Sequence, residues 1–197
     1  MSFIIETIIN GQMYMASDMM ISSLSGTRTY QDQSKIMRCS NGCAVGVAGE
    51  FITARNIVRL CQIQNVFTDY TNAVKKLELT MNAEIFRRRV GNLPQADCTL
   101  MLAYQGLRKG ELAVLILAEG KAQVFQEPLM CEGHQFFFSS PVDVEFEECL
   151  QLCQTALRQA RRLPPKTLLT NLVCEVAKRS AFVNTHVDLW KPTPPYM

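Results

Sequence analysis

The sequence lacks both a long apolar run and an excess of charge of one sign. No stretch approaches the roughly 18 consecutive apolar residues of a membrane-spanning helix, and no basic segment followed by an apolar one opens the chain. The 20 basic and 18 acidic residues leave a net charge of +2, so electrostatics gives no reason to expect a nucleic acid as partner. We therefore expect a cytoplasmic protein with neither a membrane nor a nucleic acid as its partner.

The sequence also lacks the paired Cys and His residues of a metal site. Cys149 and Cys153 would share a helix face, but no second pair lies at zinc-like spacing. We therefore expect no metal and no cofactor. The cysteines are scattered through apolar segments and are typical of small buried side chains in a reducing compartment: Cys39, Cys43, Cys61, Cys98, Cys131, Cys149, Cys153 and Cys174.

The length and the composition suit one globular domain. The chain has 197 residues, of which 48% are apolar and 19% are charged, close to the average of globular domains. A chain of this size commonly builds a single core. Residues 191–197 are rich in proline and cannot form regular structure. We therefore expect one domain over residues 1–190, followed by a proline-rich tail.

Hydrophobic periodicity predicts strands, two helices, more strands, two more helices and a last strand. A polar loop is expected over residues 22–34. Two sheets packed face to face, each with a layer of helices outside, would bury every apolar face of this pattern. The sequence therefore predicts an α+β fold, a four-layer αββα sandwich. The predicted strands are residues 3–9, 13–17, 35–38, 43–49, 99–104, 112–118, 122–125, 135–139 and 182–189, and the predicted helices are 50–64, 70–90, 143–161 and 166–178.

The N-terminus carries the main chemical signal. After removal of the initiator methionine the chain would begin at Ser2, which supplies a hydroxyl nucleophile and a free α-amine as general base on one residue. Asp18 ends the second predicted strand, Lys35 begins the third and Gly49 ends the fourth. These segments, SFIIETIINGQMYMASD, QSKI and AVGVAGE, resemble the proteasome β-type subunits and their bacterial homologues, which are N-terminal nucleophile hydrolases.

The resemblance implies a role for each of these residues. Ser2 would attack a carbonyl carbon, and its own α-amine would take the proton. Lys35 would lower the pKa of that amine and stabilise the alkoxide, while Asp18 would orient Lys35. The backbone N–H of Gly49 would donate to the oxyanion, and Ser140 matches a supporting serine of the family.

The sequence departs from the family pattern at three places. Serine replaces the usual threonine at the N-terminus, and residues 138–141 lack the glycines that flank the supporting serine. Lys178 and Arg179 fall where the family has an aspartate that orients the amine. The sequence alone therefore does not decide whether the site is active.

Two hypotheses follow from the resemblance. The first is a peptidase subunit that hydrolyses peptides or unfolded proteins inside a self-assembled homo-oligomeric ring, with an ATPase unfoldase as a further partner. The second is a catalytically silent ring subunit with a structural or binding role. A non-peptidase amidase is a third, more distant reading. Family subunits meet across stacked rings through the helices within residues 50–90, whereas the ring size and the substrate are not encoded in a readable motif.

Overall fold

Two antiparallel sheets of five strands each lie at the centre of the computed structural model, which describes residues 2–22, 28–106 and 109–192. Strands β1 to β12 span Ile4–Ile9, Gln12–Asp18, Met20–Ser22, Arg28–Asp32, Ile36–Arg38, Cys43–Gly49, Cys98–Gln105, Gly110–Ala118, Lys121–Phe125, Leu129–Cys131, His134–Ser139 and Val187–Trp190. Helices α1 to α4 span Phe51–Ile63, Tyr70–Val90, Phe146–Arg158 and Pro165–Ala177. The first sheet has the strand order β10-β11-β1-β2-β12 and the second β5-β6-β7-β8-β9, while β3 and β4 form a separate pair.

A tight turn fixes the register of the opening hairpin. Asn10 and Gly11, between β1 and β2, have φ angles of 52° and 77°, the left-handed pair that a two-residue type I′ turn requires. Ile4 accordingly pairs with Ser17 and Ile9 with Gln12. The hairpin predicted from Asn-Gly is therefore confirmed.

Each sheet is covered on its outer face by two helices. Ile57 of α1 and Leu77 of α2 pack into the apolar cluster on the second sheet, and Leu157 of α3 and Leu169 of α4 pack into that on the first. The predicted four-layer αββα sandwich is therefore confirmed. The layer between the sheets is formed by apolar side chains from both, among them Ile4, Met13, Met15, Ala44, Met101 and Ala103.

The structure differs from the predicted elements in three segments. Within residues 22–34 the predicted loop includes β4 and the end of β3, because a short hairpin needs ladder hydrogen bonds rather than apolar side chains; residues 23–27 lie outside the described residues. The short edge strand β10 was not predicted, since its three residues are too few to show alternation. The last strand begins at Val187 and not at residue 182, because side-chain contacts hold the preceding residues in turns.

Two expectations from composition concern the cysteines and membrane-spanning helices. All eight cysteines are free, and six of them are buried, while Cys39 and Cys174 are half-buried. No helix of the described residues combines the length and the apolarity that crossing a membrane requires. The predicted tail at residues 191–197 lies outside the described residues from position 193 onward.

Candidate active site

A buried ion pair joins the end of β2 to the residue before β5. Lys35 Nζ lies 2.7 Å from Asp18 Oδ2, and both side chains are fully inaccessible to solvent. The same carboxylate accepts hydrogen bonds from the backbone N–H groups of Phe3, at 3.0 Å, and Met20, at 2.9 Å. Asp18 belongs to the first sheet and Lys35 leads into the second, so the pair links the two sheets.

Burial dominates the electrostatics of this pair. Desolvation raises the pKa of the Asp18 carboxyl above its ordinary value, although Lys35 and the two backbone donors act in the opposite direction. Desolvation likewise lowers the pKa of Lys35, against the attraction of Asp18. Burial thus disfavours the charged form of both partners, while their contact at 2.7 Å favours it.

Ser2 is held beside this pair by the backbone. The residue precedes β1 and is 9% exposed. Its neighbour Phe3 exchanges hydrogen bonds with Asp18: Phe3 N–H donates to the carboxylate, and Asp18 N–H donates to the Phe3 carbonyl at 3.3 Å. Ser2, Lys35 and Gly49 line one cavity of about 1760 Å³. The structure therefore brings Ser2, Lys35 and Gly49 to one cavity, with Asp18 paired to Lys35.

Gly49 occupies a position that requires glycine. Its φ angle is +80°, and a Cβ atom there would lie 2.4 Å from the carbonyl oxygen of Asp97. The next residue, Glu50, donates its backbone N–H to the same oxygen at 2.7 Å. The last residue of β6 is thus turned into a left-handed conformation beside the cavity.

Two adjacent serines lie at the end of β11, Ser139 as its last residue and Ser140 just after it, and they have different surroundings. Ser140 Oγ donates to the carbonyl of Val144 at 3.1 Å, or to that of Pro141 at 3.3 Å, and the supporting role predicted for Ser140 stays a prediction. Ser139 lines the cavity and pairs with Ile4 of β1. The sequence reasoning missed Ser139, although the alternation of β11 places it on the face opposite Phe138.

The two cations expected near the site lie on the surface instead. Lys178 binds Glu175, and Arg179 binds Glu148 at 3.0 Å and Glu175 at 3.1 Å. Both cations are therefore paired with carboxylates, and neither lines the cavity. Sequence alignment alone could not show this, because the direction of a side chain depends on its contacts.

A second ionic cluster lies on the wall of the cavity beyond Gly49. Arg88 binds Glu50 and Glu84, each at 2.8 Å, and all three residues line the cavity. Hydrogen bonds from Arg87, and then from Arg88, lower the pKa of Glu84 to about 2. This wall therefore presents paired charges to whatever occupies the cavity.

The arrangement of sheets, helices and buried pair defines a class of fold. The chain adopts the fold of the proteasome β-type subunits, an α+β sandwich. Among solved structures, eukaryotic HslV from Trypanosoma brucei is similar with a TM-score of 0.64 and 12% identity, over 96% of this chain and 98% of that one. Anbu, an ancestral beta-subunit from Yersinia bercovieri, is similar with a TM-score of 0.66 and 16% identity, over 96% of this chain and 81% of that one.

Sequence comparison adds nothing to this structural likeness. No family model matches the chain, and no curated protein matches it. At 12% and 16% identity the likeness to HslV and Anbu concerns the fold alone. The function must therefore be argued from the site.

Proposed function

We propose that this chain is a peptidase subunit with Ser2 as its N-terminal nucleophile, acting within a self-assembled ring. The observation that carries the proposal is the buried pair of Lys35 and Asp18 at the cavity that Ser2 and Gly49 also line. Taking two charges out of water costs several kcal/mol per ion, on the order of what their attraction returns. Stability alone therefore gives no reason to place this pair here, whereas catalysis does.

The chemistry follows from the groups around Ser2. With Met1 removed, the Ser2 hydroxyl attacks the scissile carbonyl carbon, and the Ser2 α-amine takes the hydroxyl proton. An α-amine has an ordinary pKa of about 7.7 to 8.0, so its neutral form is available near pH 7. The Lys35 ammonium lowers that pKa further and stabilises the alkoxide, and Asp18 fixes the ammonium.

The remaining steps complete one hydrolysis. The Gly49 N–H donates to the oxygen of the tetrahedral intermediate, a contact worth about 3 to 4 kcal/mol in other acyl-transfer enzymes. The protonated amine then gives its proton to the leaving amine, and an ester forms on Ser2. Water, activated by the same amine, attacks that ester and frees the Ser2 hydroxyl.

The size of the cavity favours a peptide or an unfolded protein as substrate. At about 1760 Å³ the cavity exceeds the roughly 300 to 1,000 Å³ of ordinary small-molecule sites. It extends from Ser2 along α1 and α2, past Ile52 and Leu60 to Arg87. An extended chain would therefore have room on both sides of the scissile bond.

Exposed apolar side chains on α1 and α2 support assembly with further copies. Ile52 is 73% exposed, Ile63 81%, Phe86 67% and Val90 70%. Large exposed apolar side chains, where they form a patch, mark contact sites between proteins. We place the subunit in a homo-oligomeric ring in the cytoplasm, with an ATP-dependent unfoldase as the partner that supplies unfolded substrate.

One contact favours the second candidate, a catalytically silent ring subunit. Ser140 Oγ donates to the backbone carbonyl of Val144 or of Pro141, so its proton is not free to support the nucleophile. A silent subunit would keep the fold and the assembly surface but would not react at Ser2. The same experiment separates the two candidates.

The test is the intact mass of the native protein before and after incubation with a peptidyl epoxyketone, which forms a ring adduct only with a hydroxyl and a free amine on one residue. We expect a mass without Met1 and one adduct per chain. Ser2→Ala should form none, and Ser40→Ala, at an exposed turn, should react as the wild type does. A chain that lacks Met1 and stays unreacted would establish the silent subunit instead.

A further inference from the structure

Asp143 clamps a loop that contributes Phe182 to the wall of the cavity. The loop, residues 178–186, connects α4 to β12 and is called here the α4–β12 loop. Asp143 Oδ1 accepts from Ser180 Oγ at 2.6 Å, and Oδ2 accepts from the backbone N–H of Ala181 at 2.7 Å. Ser180 Oγ in turn accepts from the backbone N–H of Phe182 at 3.0 Å. Three consecutive residues of the loop are thus fixed by one carboxylate.

One of the clamped residues, Phe182, lines the cavity that the proposed nucleophile Ser2 also lines. Val142, the neighbour of Asp143, lines the same cavity. The far end of the loop is tied to the site as well, because Asn184 Oδ1 accepts from the backbone N–H of Met19, the residue after Asp18. The loop segment that contains Phe182 is therefore held by Asp143 on one side and by Met19 on the other.

The two hydrogen bonds to Asp143 are suited to this task. A carboxylate that accepts from a hydroxyl and from a backbone N–H makes short, charge-assisted bonds that are about twice as strong as neutral ones. Ser180 is only 6% exposed, so loss of its acceptor would leave the buried hydroxyl proton without a partner. An amide in place of the carboxylate would weaken both bonds with little change in volume.

A neighbouring contact supplies a comparison within the same region. Glu148 of α3 binds Arg179 of the α4–β12 loop at 3.0 Å, so it also joins the α3 segment to this loop. Neither Glu148 nor Arg179 lines the cavity. The Glu148–Arg179 ion pair therefore serves as a control, because it joins the same two segments without lining the cavity.

We infer that Asp143 is a positioning residue for substrate: through Ser180 and Ala181 it holds Phe182 in the wall that an extended peptide contacts beside Ser2. This inference rests on the proposed peptidase function. Asp143 does not touch the reacting atoms, so its effect falls on the binding of the peptide rather than on the bond-forming step.

The test measures the inactivation constants KI and kinact of a peptidyl epoxyketone with wild type, Asp143→Asn, Phe182→Ala and Glu148→Gln. We expect Asp143→Asn to raise KI about tenfold with kinact unchanged, and Phe182→Ala to do the same. The double variant Asp143→Asn/Phe182→Ala should have the same KI as Phe182→Ala alone, because both substitutions act on the same part of the cavity wall. Glu148→Gln should keep the wild-type KI.

Hydrogen exchange of the α4–β12 loop provides a readout that needs no reaction at Ser2. We expect the amides of Ala181 and Phe182 to exchange faster in Asp143→Asn and at the wild-type rate in Glu148→Gln. Unchanged exchange or an unchanged KI in Asp143→Asn would overturn the inference, as would a parallel loss of kinact and thermal stability. A wild type that forms no adduct would refute the peptidase function, while exchange would still decide whether Asp143 holds the wall.

Discussion

Glu6 is the most unusual titratable group of the described residues outside the site, and it yields a quantitative prediction. The side chain is fully buried on β1, with Met15 and Phe137 as its cross-strand neighbours. It lies on the same face as Ile4, in the apolar layer between the sheets. Neither carboxyl oxygen has a hydrogen-bond partner among the described residues. Desolvation raises the pKa of Glu6 well above its ordinary value of 4.5.

The sign of the effect on stability follows from proton binding. The folded chain keeps a proton on Glu6 in a pH range in which the unfolded chain has lost it, so the folded state binds more protons. The free energy of unfolding then falls as pH rises, from about the unfolded pKa up to the folded pKa, by about 1.4 kcal/mol per pH unit. This contribution is fully present only below about pH 4.5.

The perturbation is Glu6→Gln, which keeps the shape of the side chain and removes its proton. The amide has a pH-independent cost of burial, so the difference in unfolding free energy between variant and wild type isolates the carboxyl. We expect that difference to shift in favour of the variant by about 1.4 kcal/mol per pH unit, starting near pH 5 and ending at the folded pKa.

The assay is urea denaturation at pH 5, 6, 7 and 8 with both proteins at one concentration, since assembly would otherwise change the apparent stability. Ser40→Ala, at an exposed turn, removes no titratable group, so it serves as the control and should give a difference that does not vary with pH. A constant difference between Glu6→Gln and wild type would refute the reasoning, because it would mean that Glu6 ionises alike in both states.

Two further substitutions test the site through stability. Lys35→Met would leave the buried Asp18 carboxylate without its cation, and we expect the free energy of unfolding to fall by about 3 to 5 kcal/mol. Adding Asp18→Asn to the same chain should recover part of this loss. A loss below about 1 kcal/mol in urea denaturation would contradict the buried pair. Gly49→Ala meets both a positive φ and a backbone oxygen at 2.4 Å, so we expect a loss above the roughly 1 to 3 kcal/mol of backbone strain alone. Gly11→Ala, with φ of +77° and nothing within 4 Å, gives the strain without the clash, and equal losses in thermal denaturation would exclude the clash.

Much of the fold could be predicted because the signals are local. The continuous apolar run of β6 and the apolar spacing of α2 gave the bounds that the structure has, Cys43–Gly49 and Tyr70–Val90. The turn at Asn10 needs only two residues to be recognised. Where the residues themselves specify the backbone, the prediction and the structure agree.

The parts that could not be predicted depend on contacts between distant segments. Asp143 lies 37 positions from Ser180, and no local pattern in either segment predicts that contact. The direction of Arg179 depends on Glu148 in another helix. Asp18 and Lys35 were paired in advance by family resemblance rather than by any local pattern, because a strand pattern identifies the face of a side chain and not its neighbour.

The link between the two sheets has a consequence for how the chain matures. Asp18 belongs to one sheet and Lys35 and Gly49 to the other, with Ser2 at the start of the first. A chain that has formed only one of the two sheets therefore has only part of the candidate site in place. Under the proposed function, Ser2 would become reactive only when the two sheets dock, so a misfolded subunit would not cleave its neighbours.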